Sequence, residues 1–129
     1  MVYVLQSRED TDIQNLIQQP SYRITCCRIH PTNETNLGLC SNKGTFKLVN
    51  LITHEVFLYQ LFLRVDKSII YTGWSSFSFV GNNDIVFTHE NSNKILYAVN
   101  MKNTNEFANN GQHVITCIHV HQGIISFCD

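Results

Sequence analysis

The chain has 129 residues, a formal net charge of −1, 43% apolar residues and 15% charged residues. That length suits one small domain, and the apolar content supports a buried core and excludes a disordered chain. The near-neutral balance supplies no basic field for phosphates, which argues against nucleic acid as a partner.

In chain order, Val2 to Gln6 reads as a short strand, and a polar break follows from Ser7 to Asp12. Between Asp12 and Gln19, Ile13, Leu16 and Ile17 fit helical spacing over too few residues to separate a strand from a turn or two of helix. Three strands are then expected in succession: Arg23 to Ile29, Asn36 to Ser41 and Thr45 to Leu51. They are β-branched and apolar runs separated by turn formers. Pro31-Thr32-Asn33 breaks the first pair, because proline cannot donate to a sheet ladder and Asn tolerates turn geometry. At Asn42-Lys43-Gly44 the glycine is expected to supply the positive φ of a tight hairpin.

Glu55 to Val65 is nearly continuously apolar, which allows a buried strand or a short helix; Phe57, Tyr59 and Phe62 favour the strand. After Asp66-Lys67-Ser68, Ile69 to Tyr71 leads toward Trp74 to Val80, where Phe77 and Phe79 alternate with serines as in a half-buried strand. Asp84 to His89 and Lys94 to Met101 complete a second three-strand meander. The polar run Lys102 to Gln112 separates it from His113 to Val120 and, past Gly123, Ile124 to Cys128.

An internal repeat accompanies these meanders. Ser41-Asn42-Lys43 ahead of Val49-Asn50-Leu51 is echoed by Ser92-Asn93-Lys94 ahead of Val99-Asn100-Met101, and Ile24-Thr25-Cys26 by Ile115-Thr116-Cys117. Meanders with turn signals in the same places fit propeller blades of about 40 to 50 residues each. The fold expected is therefore all-β, a partial β-propeller of three- to four-stranded antiparallel blades, with an ordinary antiparallel sandwich as the alternative. Within one domain, 1–22 is the lead-in, 23–65 and 69–107 are blades, and 113–129 is an incomplete blade.

The five cysteines have no C-x-x-C spacing and are odd in number, which suggests free, mostly buried thiols in a reducing compartment. The amino terminus lacks the basic stretch and long apolar run of a signal peptide, so the Asn33-Glu34-Thr35 sequon is expected to be accidental. No run reaches the roughly 18 apolar residues of a membrane span. The expected location is the cytoplasm, with the nucleus as a second compartment, and no membrane association.

Ile29-His30-Pro31, Ser41 to Gly44 and Lys47 to Leu51 together resemble a WD-repeat blade. In that family the third strand closes on Trp-Asp, whereas Val49-Asn50 and Val99-Asn100 stand at those places here. Between Ile24 and Met101 the pattern is most similar to the B-type regulatory subunits of protein phosphatase 2A, through Ile24-Thr25, Ser41-Asn42-Lys43-Gly44-Thr45, Ser68-Ile69-Ile70, Phe77-Ser78 and Val99-Asn100-Met101. The resemblance implies a non-catalytic propeller that docks on the phosphatase scaffold and catalytic subunits and recruits substrates. It also implies that a chain with about three blades cannot close the propeller alone, leaving strand edges open to self-association. A generic WD-repeat scaffold with another partner is the neighbouring alternative.

Candidate partner contacts are Arg23 and Lys43, at strand ends and turns, and Trp74, a residue type enriched at interface hot spots but more often placed in the core or over a blade edge. No phosphate-binding loop or dinucleotide fingerprint is present, and no cofactor or catalytic residue is expected. From a different class, Cys117, His119 and His121 share one strand face by period two and could bind zinc in a small β-sandwich metalloprotein, although no fourth ligand lies nearby in sequence.

Overall fold

In a computed structural model that describes residues 2–9 and 18–128, every regular element is a β-strand. Ile13, Leu16 and Ile17 lie outside the described residues. The strands are β1 (Val2–Arg8), β2 (Ile24–Ile29), β3 (Asn36–Ser41), β4 (Thr45–Asn50), β5 (Val56–Val65), β6 (Ser68–Tyr71), β7 (Trp74–Val80), β8 (Asp84–His89), β9 (Lys94–Val99), β10 (Asn103–Asn109), β11 (Cys117–His121) and β12 (Ile124–Cys128).

All pairings are antiparallel and form three sheets. The first runs β1-β5-β4-β3-β2 with β6 added on β5, the second β10-β9-β8-β7, and the third is the hairpin β11-β12. The inner strand β7 touches β2 on one side and β11 on the other, while β1 meets β10 at the outer edge. Sheets stacked side by side, each with its earliest meander strand innermost, make an all-β, propeller-like array.

Two cores hold the array. Between the first and second sheets, Phe46, Leu61, Trp74, Phe77, Phe87 and Leu96 are fully buried. Phe46 lies 4.9 Å edge-on from Phe77 and 5.3 Å from Trp74. Gly38 on β3 allows this closeness, since a Cβ there would come within 2.8 Å of both the Phe77 and Phe79 rings. Between the second and third sheets the core is smaller: Val86, Ile95, Ile115 and Ile118.

The repeat is structural. Ser41 and Ser92 occupy the turns between the second and third meander strands, and each hydroxyl accepts the backbone N–H two residues on, at 3.3 and 3.1 Å. Gly44 adopts φ 87°, as its turn requires, and a Cβ there would collide with Thr72 O at 2.5 Å. β2 and β7 carry β-bulges at matching places, between Ile24 and Cys26 and between Trp74 and Ser76.

The pairings correct several sequence expectations. Of the two readings left open for the apolar run, the favoured one is observed: Val56–Val65 is a strand, with β1 along one edge while β4 and β6 share the other. Ile69 to Tyr71, expected to lead into the second meander, pairs back onto β5 and leaves its side chains exposed. The polar run after Met101 contains β10, an outer strand with little apolar surface to bury. β7 is buried on both faces rather than one, since sheets pack on either side of it. All five thiols are free, but Cys27, Cys117 and Cys128 are exposed and only Cys40 is fully buried.

Candidate functional site

A cleft opens between the first and second sheets at the end where β2 turns into β3 and β7 into β8. Its volume is about 240 Å³, and its walls are Phe46, Leu48, Phe57, Tyr59, Phe79 and Met101. Phe57 stands at the mouth, half exposed, and burial pushes the Tyr59 phenol above its ordinary value.

Two polar residues hold the rim. His30 Nδ1 accepts the Asn33 and Thr32 N–H groups at 3.1 and 3.3 Å, so the ring proton sits on Nε2 and is donated to Asn82 O at 2.9 Å. Its ring also packs 4.9 Å from Phe79, so His30 ties the β2–β3 loop of the first sheet to the β7–β8 turn of the second. Asp84 accepts the Tyr97 hydroxyl at 3.0 Å and the Asn100 N–H at 2.9 Å. Burial and then that carboxylate raise the Tyr97 phenol. Asn100 and Met101 both take positive φ, 52° and 58°, in the tight turn that places Met101 on the wall.

The opposite end of the array carries Arg23 and Lys43. Asn42 joins their segments: its Oδ1 accepts the Arg23 N–H at 2.9 Å, and its own N–H donates to Arg23 O at 3.1 Å. The Arg23 guanidinium is exposed and lies 3.9 Å from the Glu90 carboxylate, a surface pair of little energetic weight. Lys43 is half buried, and its carbonyl accepts from Gln60 Nε2 at 3.0 Å. Arg23 and Lys43 are thus brought together, but away from the cleft.

Trp74 is not a surface anchor. It is fully buried against Phe46 and Phe87, with its indole N–H donated to Gly44 O at 2.8 Å. A tryptophan beginning the inner strand of a middle sheet has neighbours on both sides, and the turn carbonyl satisfies its one donor.

The inner-strand seam contains a residue that the motif reading missed. Arg28 on β2 donates from Nε to Phe77 O at 2.6 Å and from Nη2 to Ile118 O at 2.7 Å, while Nη1 lies 3.1 Å from His119 Nδ1. One guanidinium therefore joins the inner strands of all three sheets. The β11 edge is completed by Ser76 and Ser78, whose hydroxyls accept the Ile118 and Val120 N–H groups at 3.2 and 3.0 Å. Nothing around Arg28 in Cys26-Cys27-Arg28-Ile29 signals this role, since its third-sheet partners are about ninety residues away.

Cys117, His119 and His121 do share one exposed face, with the two imidazoles stacked at 6.5 Å. Among the described residues, however, no three His, Cys, Asp or Glu side chains converge as a metal site. His119 Nδ1 is instead turned to Arg28.

No family model and no curated protein matches the sequence. Among solved structures, the chain is similar to the Cps50 (Swd1) β-propeller domain of Myceliophteria thermophila, at 9% identity and a TM-score of 0.43. The match covers 83% of this chain and 50% of that one, so the chain spans about half the length of that propeller domain.

Proposed function

We propose that the chain is a non-enzymatic protein-interaction module that holds a partner segment in the cleft between its first and second sheets. The supporting observation is the makeup of that cleft: aromatic and Met walls, a rim of amide and carboxylate groups, and a frame fixed by His30 and Asp84. A volume of about 240 Å³ suits one large apolar side chain of an extended segment, since sites for drug-sized ligands run from about 300 Å³ upward. Burying such a side chain contributes about 1.5–3 kcal/mol, and the rim groups orient the backbone beside it.

In its finer form, this reading makes the chain a divergent relative of the B-type regulatory subunits of phosphatase 2A, acting in the cytoplasm and nucleus with the scaffold and catalytic subunits as partners. That form rests on the short stretches Ile29 to Pro31, Ser41 to Thr45 and Val99 to Met101. The test is affinity purification of the tagged chain from cell extract with quantitative mass spectrometry, comparing wild type, Phe57→Glu and the double charge reversal Arg23→Glu/Lys43→Glu. The expected outcome is a partner set reduced at least about tenfold by Phe57→Glu, or about 1.4 kcal/mol, and retained by the double variant. The reverse pattern would move recognition to the Arg23–Lys43 end. A reproducible set without the phosphatase scaffold and catalytic subunits would remove the finer assignment while keeping the module.

A further inference from the structure

We propose that Cys26 and Cys40 form an oxidisable thiol pair, which a low-molecular-weight disulfide of the oxidised glutathione class converts into a cross-strand disulfide. The two residues are direct register partners across β2 and β3, at the β-bulge. Cys26 Sγ donates to Phe77 O at 3.8 Å and accepts the Ser76 hydroxyl at 3.8 Å, and the Thr25 hydroxyl lies 3.3 Å from Cys40 Sγ. Cys26 is partly exposed whereas Cys40 is completely buried, which sets the order of attack.

The environment separates their chemistry in the same sense. Donation from the Cys40 thiol holds Cys26 well below the usual thiol range, at about 5, against the opposing effect of its burial. Burial, and then that same donation, push Cys40 far up. Cys26 is thus the attacking thiolate and Cys40 the resolving thiol.

The exchange balances in two steps. The Cys26 thiolate attacks one sulfur of the small disulfide, whose S–S bond breaks to release one thiolate and leave a mixed disulfide on Cys26. That thiolate takes the Cys40 proton; the Cys40 sulfur then attacks Cys26 Sγ and expels the second small thiolate, which is protonated by solvent. Counting both cysteines as thiols at the outset, the protein loses two electrons and two protons, and the small disulfide becomes two thiols. The product fastens β2, the strand that carries Arg28, to β3.

The molecule contains its own control. At the corresponding place in the second sheet, the bulge partners are Ser76 and Thr88. In the third sheet, which pairs in continuous register, the corresponding partners are Cys117 and Cys128, with the Thr116 hydroxyl 3.3 Å from Cys128 O as Thr25 is 3.4 Å from Cys40 O. Cys117 and Cys128 face solvent, so simple accessibility would favour oxidation there.

The experiment treats the full folded chain with oxidised glutathione without denaturant, blocks remaining thiols, and maps disulfides by mass spectrometry. The expected result is a Cys26–Cys40 link that forms before any other, with an intact mass lower by two hydrogens. In a parallel alkylation at mildly acidic pH, Cys26 should react roughly tenfold faster than Cys117. In Cys40→Ser, glutathione should remain on Cys26 as the mixed disulfide; if that variant does not fold, the wild-type map decides alone. First formation of Cys117–Cys128, a lasting mixed disulfide on wild-type Cys26, or no oxidation of the folded chain would each overturn the proposal.

Discussion

The two seams of the array are built from different interactions. Between the first and second sheets, large rings interlock: Phe46, Trp74, Phe77 and Phe87 are fully buried, and hydrogen bonds such as Trp74 Nε1 to Gly44 O complete the packing. Between the second and third sheets, four branched aliphatic residues form the core, and much of the connection is polar: Ser76 and Ser78 accept backbone N–H groups, and Arg28 reaches over from the first sheet to donate to the Ile118 carbonyl. Apolar burial scales with area, whereas each neutral hydrogen bond contributes a net of about 0.5–1.5 kcal/mol. The first seam is therefore the larger apolar body that frames the cleft, and the second is the joint at which β11 and β12 should separate first.

The contrast can be broken from either side. Trp74→Ala removes the largest buried side chain of the first seam and one of the two donors to Gly44 O, the Leu61 N–H being the other, so it should lower stability by about 3–5 kcal/mol in denaturant titrations. Arg28→Ala should cost about 2 kcal/mol by the same measurement, concentrated in the third sheet, where hydrogen exchange would accelerate more than in β3 and β4. Arg28→Lys should recover only part of it, because an ammonium cannot reproduce the guanidinium fork.

Ser78→Ala should cost about 1 kcal/mol, as the Val120 N–H loses its acceptor. The smallest effect expected is one of pH. Burial lowers the pKa of His89, whose Nε2 lies 3.2 Å from the Tyr3 hydroxyl and whose Nδ1 lies 3.4 Å from the Thr72 hydroxyl. The unfolded chain therefore takes up this proton first as pH falls through about 6.5, and stability declines from there until the folded-state pKa is passed. His89→Gln should remove that part of the decline in melting temperature.

Much of the strand plan was legible because turn residues and alternation are local signals. Asn36 to Ser41, Trp74 to Val80, Asp84 to His89 and Ile124 to Cys128 have the bounds their sequence suggests. β10 escaped because an exposed outer strand such as Asn103–Asn109 needs no apolar alternation. β6 was joined to the wrong neighbour because pairing depends on contacts that no local pattern specifies.

The site was less legible. His30 stood out through its His-Pro pair, but its partner Asn82 is 52 positions away. Arg28 sits in no motif at all. Trp74 suited the core better than a surface, and its burial followed from the sheets on either side of β7.

Residue-resolved hydrogen exchange on the intact chain tests the unequal seams most directly. The Ile118 and Val120 amides, held by Ser76 and Ser78, should exchange well before the ladder amides of β8 at Val86 and Phe87. Equal protection at both places would contradict it, and would make the third sheet part of the same rigid body as the first two.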